Sequence, residues 1–264
     1  MNEDIPQKPP LPRRFVKIPV RVLAPNLVTL LALCSGLTAI RLSIEGKVEL
    51  ALIAVIFAAI LDGIDGRLAR LLKGTSKFGA ELDSLTDFVN FGVAPALILY
   101  SWLLVDIRNA GWIAALVFAI AAALRLARFN VQLDDPTRPA WAAGYFTGIP
   151  APAGAITVLL PAYLVELGLP KSSLPPLLVA LYVLFIAWLM VSQLPTYSGK
   201  GSKLAVGREW VMLVLLGVAL FIGLLVAYTW EVMALSTIIY LAMIPLSIRS
   251  HRRLKASDAA SKAP

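Results

Sequence analysis

The stretch from Asp62 to Asp87 reads D-G-I-D-G-R-L-A-R-L-L-K-G-T-S-K-F-G-A-E-L-D-S-L-T-D and carries four aspartates in two pairs. Asp62 and Asp65 are three residues apart, and Asp83 and Asp87 are four apart. Side chains at these spacings lie on the same face of an α-helix, one turn from each other. If both segments are helical, the two carboxylates of each pair therefore point to one side.

Residues 74–76 (Gly-Thr-Ser) separate the pairs and interrupt the helical pattern. A break of this kind lets two helices fold back as a hairpin, which predicts a cluster of four carboxylates. The flanking segments 50–61 and 88–104 are almost wholly apolar, as in membrane helices. A carboxylate there costs about 2.5–3.5 kcal/mol on the insertion scale, and neighbouring carboxylates repel each other. Hard divalent cations would neutralise the cluster. The plainer alternative is ion pairing with nearby basic residues: Arg67, Arg70, Lys73 and Lys77.

The composition of the chain predicts an integral membrane protein. Of its 264 residues 59% are hydrophobic and only 15% are charged, which is far more apolar than a soluble domain of this size. We therefore expect an all-α, polytopic helical bundle. Runs of about 20 apolar residues, the length that spans a bilayer, predict eight transmembrane helices at 26–44, 48–66, 82–104, 110–128, 149–168, 174–194, 209–229 and 231–248.

The basic residues predict how the bundle is oriented. With the N-terminus inside, twenty of the 24 Lys and Arg residues fall on inside segments. This bias predicts that both termini and the aspartates face the cytoplasm. The net charge of +8 sits at helix ends, which favours anionic lipid headgroups over nucleic acid as its counterpart.

The aspartates belong to a longer pattern, D-x2-D-G-x2-A-R-x8-G-x3-D-x3-D, realised at Asp62, Asp65, Gly66, Ala69, Arg70, Gly79, Asp83 and Asp87. This pattern resembles the signature of the CDP-alcohol phosphotransferases at all eight fixed positions. The resemblance implies a membrane enzyme that moves a substituted phosphate from a CDP-linked donor to an alcohol and releases CMP. It covers about residues 20–200.

The resemblance also implies a role for each aspartate. Asp62 and Asp83 would bridge two Mg2+ or Mn2+ ions, with Asp65 completing the shell of one ion and Asp87 that of the other. Asp87 would in addition accept the proton of the acceptor hydroxyl. Transfer of this kind needs charge neutralisation on the diphosphate, a positioned nucleophile and a base.

Smaller residues around the aspartates would bind the donor. Gly66, Ala69 and Gly79 would leave a slot for the cytidine, while Arg70 and Ser76 would contact the phosphates. The alternative is that the small residues only let the second and third helices pack closely.

Two prolines predict local features of the helices. Pro25 is expected to open the first helix, so that Asn26 and Thr29 either cap it or touch the nucleotide. Pro95 is expected to free a backbone carbonyl near Phe91 and to kink the third helix.

Three further runs, around Phe91, Arg125 and Phe146, resemble bacterial members of the family whose donor is CDP-diacylglycerol and whose acceptor is L-serine. Serine is a zwitterion, so its carboxylate would bind near Arg125 and Arg128, beside Asn130. The plainer alternative for the two arginines is a positive-inside flank. Glycerol phosphate would also require a basic pocket, so family members that use that acceptor remain the alternative.

The chain divides into an N-terminal segment at 1–24, a catalytic core at 25–195, C-terminal helices at 196–249 and a basic tail at 250–264. Residues 13–24 either lie along the membrane interface or only flank the first span. Similar proteins are commonly homodimers in the bacterial cytoplasmic membrane. An ion-coupled transporter is the alternative from another class, but it predicts carboxylates at mid-membrane and broken helices in both halves of the chain.

Overall fold

The computed structural model describes residues 20–133, 145–197 and 210–262, so most of the predicted N-terminal segment lies outside the described residues. In chain order the helices are α1 (Val20–Ile44), α2 (Val48–Leu71), α3 (Lys77–Asp87), α4 (Ala94–Leu99), α5 (Arg108–Leu133), α6 (Ala151–Val158), α7 (Leu160–Glu166), α8 (Pro176–Val191), α9 (Val211–Ala227) and α10 (Thr229–Lys262). Two short strands, β1 (Tyr145–Thr147) and β2 (Pro195–Tyr197), pair antiparallel with Phe146 opposite Thr196. The predicted helical class is confirmed, and α10 continues well into the segment predicted as a tail.

Helices overlap all eight predicted apolar runs. Within the described residues, three stretches are long and apolar enough to cross a membrane: Leu23–Ile44, Lys77–Gln132 and Thr229–His251. The apolar helices α8 and α9 are shorter. The stretch Lys77–Gln132 contains two of the predicted spans, 82–104 and 110–128. The chain turns between them at Arg108, where φ is +44°. Eight transmembrane helices therefore remain a prediction.

The third predicted helix is not a regular α-helix. α3 is joined to α4 by π-helical turns at Phe88–Val93, and further π-helical turns follow at Tyr100–Leu104. The amide of Ala94 bonds to the carbonyl of Val89, five residues back. Pro95 has no N–H to bond to the carbonyl of Phe91. A π-helical segment therefore occupies the region around Phe91, and the predicted kink at Pro95 stays a prediction.

The hydrophobic core lies among α4, α5, α6 and α8. Phe91, Ile98, Phe118 and Met190 are buried completely. Gly154 brings α6 close to α8, since a Cβ there would lie 2.7 Å from the sulfur of Met190. In α9, by contrast, no side chain is buried. The core therefore supports the middle of the chain, and α9 lies outside it.

α1 crosses the π-helical segment 88–93 at very short range. A Cβ added at Gly36 would overlap the side chain of Asn90, which is completely buried. Further along the same interface, the hydroxyls of Ser43 and Ser101 hydrogen-bond to each other. This crossing fixes the backbone that immediately follows Asp87.

Replacing Gly36 with Ala is expected to lower the midpoint of thermal unfolding, because overpacking of this kind costs about 1–3 kcal/mol. Gly217 in α9 is a matched control, since an added Cβ there meets nothing within 4 Å. Gly217→Ala should leave the midpoint unchanged or higher, because alanine has the better helix propensity. Thermal unfolding of the detergent-solubilised protein measures both. Equal midpoints for Gly36→Ala and the unaltered protein would contradict the close crossing.

Candidate active site

The turn between α2 and α3 folds the chain back on itself. The amide of Gly74 bonds to the carbonyl of Ala69 at 2.9 Å, closing the end of α2. Ser76 caps α3, because its Oγ accepts a hydrogen bond from the amide of Gly79 at 3.0 Å. This bond satisfies one of the free N–H groups at a helix start. The predicted break between the two aspartate pairs is therefore confirmed.

The hairpin brings three of the four aspartates together. One carboxylate oxygen from each of Asp62, Asp83 and Asp87 lies within 4.8 Å of the others. The ion-pair alternative fails. Within the described hairpin, no aspartate forms a salt bridge with the neighbouring basic residues Arg67, Arg70, Lys73 and Lys77.

Asp65 is not part of that group of three and has a different position. It is 4% exposed and lines a cavity of about 170 Å³ together with Asp83. Asp83 therefore belongs both to the group of three and to the wall of the cavity. Asp65 Oδ2 and Asp87 Oδ1 are buried and have no hydrogen-bond partner. Buried carboxylate oxygens without partners are costly, and divalent cations that prefer oxygen ligands fit such a donor set.

The cavity collects every residue predicted to bind the donor, namely Asn26, Thr29, Gly66, Ala69, Arg70, Ser76 and Gly79. Gly79 is needed for packing, since a Cβ there would lie 2.9 Å from Asn26 Oδ1 and 3.1 Å from Ser76 Oγ. At Gly66 the nearest atom to an added Cβ is Arg70 Nη1, at 3.9 Å. Gly79 therefore allows α1 to approach α3, which differs from the predicted packing between the second and third helices, whereas Gly66 leaves open space in the cavity.

The predicted start of the first helix at Pro25 is wrong. α1 begins at Val20 and Pro25 lies inside it, so Asn26 and Thr29 cannot act as caps. The Thr29 hydroxyl instead donates a hydrogen bond to the carbonyl of Pro25 at 3.1 Å. Both side chains line the cavity, and their contact with the nucleotide stays a prediction.

Arg125, one of the two arginines predicted to bind the acceptor, is buried. It is 6% exposed, and its guanidinium carbon lies 5.1 Å from the ring centre of Phe129. It interacts electrostatically with Asp87 and with Tyr240 of α10.

Arg128 and Asn130 make contacts that hold helices together. Arg128 Nη1 donates to the carbonyl of Val191 at the end of α8, at 2.7 Å. Asn130 Nδ2 donates to Ser84 Oγ at 3.0 Å, which ties α5 to α3 beside the aspartates. The positive-inside explanation alone does not account for these contacts.

Sequence reasoning assigned no role to two groups of polar residues. Thr86 and Asn90, one residue before and three residues after Asp87, are buried with side-chain atoms that have no hydrogen-bond partner. Tyr240 of α10 lies near Arg125. The only signal in the sequence is a polar side chain within an apolar run, and such residues are too common to single out without the fold.

Comparison with curated proteins finds relatives that cover most of the chain. It is 37% identical over 248 residues to CDP-diacylglycerol–serine O-phosphatidyltransferase of Mycobacterium leprae, spanning 94% of this chain and 80% of the relative. It is 32% identical over 196 residues to archaetidylserine synthase of Methanothermobacter thermautotrophicus, spanning 72% and 76%. A Bacillus subtilis protein with the same name as the first is 30% identical over 190 residues, spanning 70% and 97%.

A match to a protein family covers the site as well. Residues 22–240 match the family described as CDP-alcohol phosphatidyltransferase. The matched region contains the four aspartates, the residues of the cavity and Arg125. The family predicted from the eight-position pattern is confirmed, and the chain belongs to the CDP-alcohol phosphatidyltransferase family.

Proposed function

We propose that this protein transfers the phosphatidyl group of CDP-diacylglycerol to the hydroxyl of L-serine, giving phosphatidylserine and CMP. The observation that carries the proposal is the group of Asp62, Asp83 and Asp87, which adjoins a cavity lined by every predicted donor residue. The names of the relatives described above support the choice of substrates, since they specify serine or a serine lipid.

Two divalent cations, Mg2+ or Mn2+, complete the proposed site. Asp62, Asp65, Asp83 and Asp87 would hold them. The position of Asp83, shared between the group of three and the cavity that Asp65 lines, supports this donor set. When bound, such ions neutralise the charge of a diphosphate.

The cavity suits the CDP part of the donor. Gly66 leaves room in its wall for the cytidine, and Arg70 provides a guanidinium for a phosphate. Ser76 accepts a hydrogen bond from Gly79 and keeps its own hydroxyl proton for donation to a phosphate oxygen. The first turn of α3 also faces this cavity, and helix N-termini favour anions.

Asp87 is the proposed base. Its Oδ1 is buried and has no hydrogen-bond partner, so it has a free lone pair for the proton of the serine hydroxyl. As that proton moves to Asp87, the serine oxygen forms a bond to the phosphorus of the phosphatidyl group. The bond from phosphorus to the CMP oxygen breaks, and CMP leaves with the electron pair.

Arg125 is the proposed partner of the serine carboxylate. It is the arginine that interacts electrostatically with Asp87, and a zwitterion bound to it would keep its hydroxyl close to the base. Arg128 and Asn130 have an indirect role in this proposal. Their hydrogen bonds to Val191 and Ser84 hold in place the helices around the acceptor.

The cellular setting is also a proposal. The protein would lie in the bacterial cytoplasmic membrane as a homodimer with eight transmembrane helices. Residues 25–195 would form the catalytic core, and both termini and the site would face the cytoplasm. The positive-inside bias of the sequence and the exposed apolar side chains of α9 support this arrangement.

The first test is CMP release by the purified protein with CDP-diacylglycerol and Mn2+ or Mg2+. We expect release with L-serine and none above background with glycerol 3-phosphate, inositol phosphate or choline. Release with glycerol 3-phosphate alone would keep the aspartate site but overturn the proposed acceptor.

Asp87→Asn should lower kcat by about 10²–10⁴-fold, the range that general base catalysis contributes. The substitution keeps the size of the side chain but removes the proton acceptor. Asp106→Asn is the matched control, since the Asp106 carboxylate is 64% exposed and lies 4.0 Å from Lys171. Both rates are measured as CMP release. A near-normal rate for Asp87→Asn would remove Asp87 from the role of base.

Metal binding should be measurable as a change in the midpoint of thermal unfolding, without any enzymatic reaction. Mn2+ should raise the unfolding midpoint of the unaltered protein, because a ligand that binds only the folded state stabilises it. Asp83→Asn should raise the metal-free midpoint by reducing carboxylate repulsion and should diminish the shift that Mn2+ causes.

Glu81→Gln is the control for this measurement, because Glu81 lies on the exposed face of α3. It should retain the full Mn2+ shift. Equal Mn2+ shifts for Asp83→Asn and Glu81→Gln would contradict metal binding at this cluster.

A further inference from the structure

A second cavity, of about 380 Å³, lies between α5 and the helical segment that follows Asp87. All the described side chains that line it are apolar. Ala96 and Ala115 in its wall are buried, whereas Leu116 and Leu124 are exposed. The cavity lies on the stretch Lys77–Gln132, which is long and apolar enough to cross a membrane. It is therefore an apolar groove whose open side faces the lipid.

One end of this groove adjoins the carboxylate cluster. Phe88 lines this end and directly follows Asp87, while Leu124 lines it and directly precedes Arg125. Neighbouring Cα atoms of a chain are only about 3.8 Å apart. The covalent structure therefore places this end of the groove beside the two residues that act on the acceptor in the proposed reaction.

The chain from the hairpin turn into α4 passes three features in a fixed order. Ser76 and Gly79 line the cavity proposed for the nucleotide. Asp83 and Asp87 belong to the carboxylate cluster, and Phe88 begins the groove. CDP-diacylglycerol carries its cytidine, diphosphate, glycerol and acyl chains in the same order. A donor whose diphosphate lies at the carboxylates would thus have its acyl chains at the start of the groove.

The other end of the groove is at Trp112, the lining residue of α5 farthest from Leu124. The ring of Trp112 packs edge-to-face against Tyr100, with the ring centres 5.2 Å apart. The backbone beside it is also fixed, since a Cβ added at Gly111 would overlap the carbonyl of Leu104. Trp112 therefore gives the groove a defined end.

The length of the groove suits one acyl chain. Trp112 and Leu124 are separated by a rise of about 18 Å along α5, at 1.5 Å for each residue. Half of the hydrocarbon core of a bilayer, which is the depth that the acyl chains of one leaflet occupy, is about 15 Å. A chain that starts beside Asp87 would therefore reach Trp112 near the middle of the membrane.

We propose that this groove binds one acyl chain of the CDP-diacylglycerol donor and that Trp112 limits the length of the chain it accepts. The groove and the surrounding lipid are equally apolar, so close packing rather than exclusion of water holds the chain. The shape of the groove therefore selects the donor. The inference rests on the proposed function and adds a determinant of donor specificity to it.

Ala119→Phe tests the assignment by filling the half of the groove that is farther from Asp87. Ala119 lines the groove, and helical side chains point toward the helix N-terminus, which here is the direction of Trp112. The KM for dipalmitoyl CDP-diacylglycerol should rise about tenfold, an effect within the range of overpacking. The KM for the dioctanoyl donor, whose chains are half as long, should change less than twofold, as should the KM for serine.

Val117→Phe is the matched control for this measurement. It introduces the same residue into the same helix, but Val117 is exposed and does not line the groove. The KM values of both donors should stay within twofold of those of the unaltered protein. An equal rise for both donors in Ala119→Phe, or no rise for either, would overturn the proposal.

Trp112→Ala tests the limit on chain length in the opposite direction, by opening the groove. With donors of increasing chain length, the unaltered protein should show its highest kcat/KM at one length. Trp112→Ala should move this maximum to longer chains. Ile113→Ala is the control, because Ile113 is also an exposed residue of α5 but does not line the groove. An unchanged maximum in Trp112→Ala would remove Trp112 from the limiting role.

A second copy of this chain is the other occupant that the experiment can detect. If a second copy covers the groove, Ala119→Phe should lower the dimer fraction, measured by size-exclusion chromatography with light scattering. The KM values of the two donors would then keep their ratio. That result would overturn the acyl-chain assignment.

The two proposals fail in different ways. If no alcohol releases CMP from CDP-diacylglycerol, both fail. If another alcohol releases CMP but serine does not, the proposed acceptor fails, and the comparison of donors with that alcohol still decides the role of the groove. If serine is used while Ala119→Phe keeps the ratio of the two donor KM values, the proposed function stands and only the acyl-chain assignment is overturned.

Discussion

Repulsion among carboxylates is the constraint on which the rest of this structure depends. Asp62, Asp83 and Asp87 come within 4.8 Å of one another, and nothing in their own hairpin neutralises them. The hairpin must therefore be held closed from outside. The Ser76 cap fixes the start of α3, and Gly79 lets Asn26 of α1 approach. On the far side, Asn130 ties α5 to Ser84. The helices surrounding the cluster thus hold an arrangement that a bound cation would make favourable.

The same hairpin also shapes the cavity beside the cluster. Its wall, formed by α1, α2 and α3, is built mostly from small and polar residues, and it encloses the space proposed for the nucleotide. Arg125 of α5 does not line this cavity but interacts electrostatically with Asp87. In the proposed reaction the cavity therefore holds the donor, while Arg125 and Asp87 act on the acceptor.

The parts that were predictable from sequence are those set by local geometry. Spacings of three and four residues determine which helix face a carboxylate occupies, so the hairpin and the grouping of three of the four aspartates followed from the chain alone, whereas the separate position of Asp65 did not. The start of α1 did not, because Pro25 is compatible with a helix start as well as with an interior position, and only the tertiary context decides. Tyr240 could not be found either. Its electrostatic interaction with Arg125 joins residues more than a hundred positions apart, and no local pattern encodes it.

The π-helical segment after Asp87 changes the direction in which the later side chains of the helix point. A π-turn contains one more residue than an α-turn, so every later side chain is rotated by about 100° relative to a continuous α-helix. Asp83 and Asp87 face the site before this shift, and Ile98 and Leu99 face the core after it. Asp83 and Asp87 can therefore point to the site while Ile98 and Leu99 of the same helical segment point to the core. Deleting a single residue between 88 and 93 would restore the α-helical phase and turn one of the two faces away from its partner.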